Sequence, residues 1–210
     1  MDIVCLDLEG VLIPEMWIMV ADATATDELR LTTRDISDYD ELMRHRIDVL
    51  ERRGITLGDI RRAIADVEPL PGATGFLDQL RRRSQVAILS DTFVQFVDGV
   101  MERLGRPFLL CNALVTDERD RIVDYRMRQP DGKRRAVEAF RELNLRVQAV
   151  GDSFNDIAMI RAAHQGYLFR PSDTVVAAHP DLPVARTHDE LLASIASDEH
   201  AHAHGEEGNE

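Results

Sequence analysis

Apolar and polar positions alternate along this chain with two different periods. A short apolar run, Val4-Cys5-Leu6, opens it and predicts a buried strand. Two carboxylates, Asp7 and Glu9, then Gly10, end that run, and strand alternation places both carboxylates on one side of the chain. Residues 15–53 read as helical: Leu42, Met43, Ile47, Val49 and Leu50 recur at helical spacing, and Gly54 supplies a stop. A shorter helix is predicted over 57–67 with Thr56 as its N-cap, followed by a linker at 68–72.

From Ala73 onward helices and strands alternate. Helices are predicted near 73–83, 93–104, 133–143 and 155–163, with strands at 86–90, 107–111 and 147–151. A hairpin turns around 117–121, and 166–169 and 183–186 read as further short strands. This order predicts an α/β fold, a doubly wound parallel sheet with helices on both faces. Residues 1–11 and 71–197 form the core domain in this reading, with a small helical cap at 12–70 inserted after the first strand. Residues 198–210, rich in His and Glu, are expected to be a disordered tail whose His-x-His-x-His run could take up metal only adventitiously.

Composition narrows the function classes. A net charge of −13 leaves no basic surplus for nucleic acid or for anionic membrane surfaces. Cys5 and Cys111 are too few for a disulfide framework or a thiolate metal site. No apolar run nears about 18 residues and no leader pattern is present, so a cytoplasmic location is expected.

The chemistry gathers at predicted strand ends. They read Asp7-Leu-Glu-Gly10, Leu89-Ser-Asp-Thr92 and Gly151-Asp-Ser-Phe-Asn-Asp156, with Lys133 opening a helix between the last two. Ligands of doubly wound sheets bind at the carboxyl ends of the strands. Like charges such as Asp7 and Glu9 are costly to bury together, so a cation or a shared proton is expected beside them.

In this order, these residues resemble the four motifs of the haloacid dehalogenase superfamily of phosphohydrolases, from residue 3 to about 185 and including the helical cap. Within it the chain is most similar to the phosphoserine phosphatases, and the stretches 5–17 and 32–50 resemble those that also act as homoserine phosphotransferases. The superfamily's phosphatases usually carry Asp where this chain has Glu9, a departure that the phosphotransferase type shares.

The resemblance implies roles. Asp7 would be the nucleophile, forming an aspartyl-phosphate. Glu9 would be the general acid and base. Asp7, Asp152 and the backbone carbonyl of Glu9 would hold Mg²⁺, a hard cation suited to oxygen ligands. Asp156 either supports that metal from behind or simply starts a helix. Ser90 and Lys133 would bind the phosphoryl oxygens, with backbone N–H groups near Gly10 and Asp91 as added donors. Glu15 would meet the substrate ammonium and Arg46 its carboxylate. Asn155 and Thr92 would line the substrate pocket. The implied reaction is Mg²⁺-dependent hydrolysis of O-phospho-L-serine, with transfer to L-homoserine where an alcohol replaces water. A homodimer is implied as well, of which the spacing gives no sign; the apolar Trp17 and Met19 suit packing onto the core better than an interface. Three alternatives stay open: a phosphatase for another small phosphomonoester, a phospho-acceptor signalling module, and an inactive sensor of a phosphorylated amino acid.

Overall fold

The computed structural model describes residues 1–32, 35–36 and 38–206; of 199–206 only the helical backbone is described. Seven strands form one sheet in the order β4-β3-β2-β1-β5-β6-β7. They are β1 (Asp2–Leu6), β2 (Gln85–Phe93), β3 (Phe108–Thr116), β4 (Ile122–Arg126), β5 (Arg146–Gly151), β6 (Gln165–Phe169) and β7 (Val184–Ala185). Every pairing is parallel except β3 with β4. The central strand β1 sets Cys5 beside Ala87 on one side and Ala149 on the other.

Alternation along β1 sends its side chains into two separate apolar layers. Ile3 and Cys5 pack with helices α6 (Gly132–Glu142), α7 (Ile157–Ala162) and α8 (Asp173–Ala178), through Val137, Met159 and Val175. Val4 and Leu6 pack with α4 (Ala73–Leu80), α5 (Val94–Arg103) and α9 (His188–Glu206), through Leu77, Val97 and Leu191. Helices on both faces of a parallel sheet make the doubly wound design expected from the sequence. The strand order reverses direction at β1, between β2 and β5, which is where such sheets open a ligand crevice.

Between β1 and α4 lie α1 (Met16–Thr24), a 3₁₀ turn at Asp27–Arg30, α2 (Tyr39–Arg53) and α3 (Leu57–Ala63). The single helical run expected over 15–53 is therefore broken. Ala25 closes α1 in the left-handed region, and α2 begins afresh with Asp38, whose carboxylate accepts from Glu41 N at 2.9 Å. Gly54 ends α2 at φ 67° and Thr56 caps α3, as their residue types predict, with Asp59 completing a reciprocal cap. Leu12, Met16, Val20, Leu50 and Ile60 of this segment share the apolar layer of Val4 and Leu6. Trp17 packs there too, edge-on to Phe96 of α5 with ring centres 5.3 Å apart.

The backbone of 198–206 continues α9, where composition predicts a disordered tail. Once a helix is nucleated, each further residue costs little, and Ala and Glu are good helix formers. Residues 207–210 lie outside the described residues. No helix among the described residues is long and apolar enough to cross a membrane.

Candidate active site

β1 stops at Leu6, one residue before Asp7. Asp7 N still donates to Val150 O of β5 at 2.9 Å, which holds Asp7 at the sheet's carboxyl edge. The chain then turns: Leu12 N and Ile13 N both reach back to Leu8 O, with Gly10 at φ 76°. The turn gives Asp7 and Glu9 different polar partners, although both line the same cleft.

Asp7 faces Lys133. The ammonium, from the first turn of α6, lies 2.9 Å from Asp7 Oδ1, 2.7 Å from Asp156 Oδ1 and 3.7 Å from Asp91 Oδ2. Carboxylate oxygens of Asp7, Asp152 and Asp156 all lie within 4.8 Å of one another. Burial raises the Asp7 pKa well above the ordinary carboxylate range and Asp156 adds to this, against the pull of Lys133. Burial, then the charge of Asp156, pushes Asp152 up to about 7. For Lys133, burial alone would lower the pKa, but Asp156, Asp7 and Asp91 outweigh it and hold it well above the usual lysine value. With all three ionised, the carboxylates outnumber the one ammonium by two negative charges. A divalent cation with hard oxygen ligands fits that surplus and donor set.

Asp156 is fully buried, and both of its oxygens are engaged. Oδ1 accepts from Lys133, while Oδ2 accepts from Asp152 N at 3.0 Å and Ser153 N at 3.1 Å. It thereby orients the ammonium and the loop bearing Asp152 together. Gly151 makes the approach feasible, since a Cβ there would sit 2.2 Å from Asp156 Cβ. Gly151→Ala is expected to lower unfolding stability by about 1–3 kcal/mol through overpacking, which denaturant titration would read. The Gly10 N–H itself donates to Ile13 O at 2.9 Å, and its missing Cβ leaves room for the Asp152 carboxylate.

Glu9 belongs to a second group of charges. Its Oε2 accepts from Met16 N at 3.0 Å at the start of α1. Burial and the neighbouring Glu15 charge push its pKa up to about 7, although the Met16 N–H pulls the other way. Arg46 of α2 is buried, with its guanidinium 4.5 Å from the Trp17 ring centre and Nη2 donating to Leu31 O at 2.8 Å. Its Nε has no partner. Burial draws its pKa down to about 10, although Tyr39, Glu9 and Glu15 act to raise it.

The expected end of β2 at residue 90 also shifts. The strand runs on to Phe93, with its register against β3 broken between Leu89 and Phe93. This bulge aims Ser90, Asp91 and Thr92 at the crevice. The Asp91 carbonyl accepts from Tyr39 Oη at 3.0 Å and Asn112 Nδ2 at 3.1 Å, and its side chain accepts from Asn155 Nδ2 at 3.3 Å.

A single cleft of about 320 Å³ joins these groups. Asp7, Ser90, Asp91, Lys133, Asp152 and Asn155 line it together with Glu9, Glu15, Arg46 and Thr92. Asp156 and Gly10 stand behind that lining. Tyr39, Trp17 and Ser153 also line the cleft and were not among the expected site residues. Ser153 lies inside the 151–156 motif and was open to inclusion; nothing local in the sequence marks Tyr39.

The family of haloacid dehalogenase-like hydrolases matches residues 1–164. Phosphoserine phosphatase ThrH of Pseudomonas aeruginosa is 50% identical over 191 residues, which cover 91% of this chain and 93% of that one. A phosphoserine phosphatase of Pseudomonas syringae pv. tomato is 50% identical over 190 residues, 90% of this chain and 80% of its own length. Among solved structures, a phosphoserine phosphatase held as an analogue of its phospho-aspartyl intermediate superposes with TM-score 0.76 at 20% identity, covering 92% of this chain and 98% of that chain. A substrate-bound phosphoserine phosphatase gives 0.75 at 19% identity, covering 92% and 97%. These two likenesses speak for the fold. The match over most of the chain and the two relatives at half identity speak for descent: the chain belongs to the haloacid dehalogenase-like hydrolases, among the phosphoserine phosphatases.

Proposed function

We propose that this chain hydrolyses O-phospho-L-serine with Mg²⁺, through a phosphoryl group carried on Asp7, and that it also passes that group to L-homoserine. One observation carries the reading. A buried arginine with an unpartnered Nε, Arg46, shares a cleft with the Asp7–Lys133 pair. An anionic group on the non-reacting part of a phosphomonoester is what satisfies such an arginine.

Asp7 Oδ attacks phosphorus, and the bond from phosphorus to the seryl oxygen breaks. Glu9, with a pKa near neutrality, gives its proton to that departing oxygen. As a carboxylate it then takes a proton from water, or from the homoserine hydroxyl, whose oxygen displaces Asp7 from phosphorus. Ser90 and Lys133 hold the non-bridging oxygens throughout. Glu15 receives the substrate ammonium and Arg46 its carboxylate, with Thr92, Asn155 and Asp91 around them. Asp7, Asp152 and the Glu9 carbonyl would hold Mg²⁺, with Asp156 supporting them. Bound there, the ion supplies charge neutralisation for the phosphoryl oxygens. We read the working form as a cytoplasmic homodimer.

The test follows phosphate and phosphohomoserine together, from phosphoserine and Mg²⁺ with and without L-homoserine. Phosphohomoserine formed at the expense of phosphate establishes transfer, and phosphate unaffected by homoserine removes that half of the reading. Release of neither product overturns the roles of Glu15 and Arg46. Arg46→Ala is expected to lower kcat/KM for phosphoserine about 10²-fold, as for a lost charged hydrogen bond. Its effect on p-nitrophenyl phosphate, which has no carboxylate, should be small. Because Glu9 must enter the first step protonated, the rate of phosphoryl transfer to Asp7 should fall as pH rises through about 7. Glu9→Gln should lack that limb in single-turnover measurements across pH.

A further inference from the structure

Outside the cleft, His188 opens α9 and is buried. Its Nε2 lies 2.9 Å from Val11 O and its Nδ1 3.2 Å from Pro71 O. Those two carbonyls belong to the two connections between the sheet and the helical segment 12–70. Val11 lies in the turn that follows Asp7 and contains Glu9, and Pro71 precedes α4. The connections touch directly as well, where Leu70 N donates to Leu12 O at 2.8 Å. Phe169 and Phe76 hold the imidazole in place, with ring centres 4.6 Å and 5.2 Å away.

Two carbonyls are two acceptors. A neutral imidazole donates one hydrogen bond and an imidazolium donates two. The shorter contact assigns the neutral ring's N–H to Nε2, which leaves the Nδ1 lone pair against the Pro71 carbonyl. The charged groups acting on the ring are Arg170, just past β6, which opposes a positive imidazole, and Asp189 of α9, which favours one. Burial is the largest influence and holds the ring's pKa below its ordinary value, so Nδ1 gains its proton at a lower pH than an ordinary imidazole does.

We propose that His188 is a positioning residue: it ties the turn behind Asp7 and Glu9 to the return connection at Pro71, and a proton taken up at Nδ1 adds the second tie. It thereby sets the seat of the segment that carries Glu15 and Arg46. This rests on the reading that those two residues grip phosphoserine, because only then does the seat of the segment govern KM for it.

The test uses the full chain. Imidazole ¹⁵N NMR should show His188 protonated at Nε2 near neutrality, with a hydrogen-bonded Nδ1–H appearing on acidification. An Nδ1–H tautomer at neutral pH, or no Nδ1–H on acidification, overturns the proposal whatever the variants do. His188→Phe should raise KM for phosphoserine about fivefold, the equivalent of one hydrogen bond, with kcat nearly unchanged and p-nitrophenyl phosphate unaffected. The native protein's KM should tighten on acidification; His188→Gln, which keeps one donor for Val11, should recover most of the loss but not that tightening. Equal losses on both substrates would mark a merely structural residue and overturn the proposal. Failure of the native protein to turn over phosphoserine would instead remove the proposed function, leaving the tautomer measurement to decide His188.

Discussion

Asp7→Asn is expected to abolish phosphoserine turnover, by about 10⁴-fold or more, as when a covalent nucleophile is removed. It should also yield a cation-free protein that is more stable than the native one at neutral pH. The two effects share a cause. The native carboxylate is buried against Asp156 and Asp152, so its pKa in the folded chain lies well above the unfolded value of 3.8. A group whose folded pKa is raised contributes its full stability below the unfolded value and loses it as pH rises through the folded one. Asn carries no such charge, while its side-chain oxygen can still accept the Leu8 N–H that Asp7 Oδ1 takes at 2.7 Å. Urea titrations at acidic and neutral pH, with chelator present, would read the difference. Near coincidence of the two proteins in acid and a more stable Asp7→Asn at neutrality is the expected pattern. A less stable Asp7→Asn at neutrality would mean that the pairing with Lys133 outweighs the cost of burial. Added Mg²⁺ should stabilise the native chain far more than the variant, since the variant has lost one of its ligands.

Lys133→Met removes the cluster's internal counter-charge. Its side chain is only 6% exposed and touches Asp7 and Asp156 within ordinary ion-pair distance. Deleting one partner of a buried pair typically costs about 3–5 kcal/mol, because the remaining charge stays buried without compensation. Here Asp7 and Asp156 lose their nearest cation together, and Asp91 a more distant one. The deficit should therefore shrink as pH falls and the carboxylates take up protons, and it should shrink again when Mg²⁺ is added. Turnover should drop by about 10²–10³-fold even in saturating Mg²⁺, since a fixed positive charge no longer meets the phosphoryl oxygens. Unfolding curves at two pH values and steady-state rates separate the two losses. A deficit independent of pH would assign Lys133 a packing role and not an electrostatic one.

The order of strands and helices from residue 73 to β6 was legible because period-2 and period-3.6 patterns are local properties of the chain, whereas α8 and α9 were not read from the sequence. Alternation in β1 predicts its two apolar layers, and Gly54 and Thr56 predict the boundaries they form. Past Leu6 the pattern says less: the chain turns at Gly10, and Glu9 accepts from the start of α1 while still lining the cleft with Asp7. Helical periodicity likewise ran across Ala25, where the backbone turns left-handed and α1 ends.

Motif order named the residues of the cleft, because strand ends and helix starts are where an α/β sheet presents its chemistry. Their partnerships were another matter. That Lys133 is shared between Asp7 and Asp156, that Arg46 lies over Trp17 with an unsatisfied Nε, and that Tyr39 reaches the Asp91 carbonyl all depend on segments far apart in sequence. Burial and through-space charge set the pKa values of Glu9 and Asp152, and neither is a property of nearest neighbours along the chain. Residue types and their spacing established which groups are present and which ends of the sheet they occupy. Only the packed structure decided which of them are charged, which are paired, and which are left to meet a ligand, because desolvation and Coulomb energies depend on distance in space.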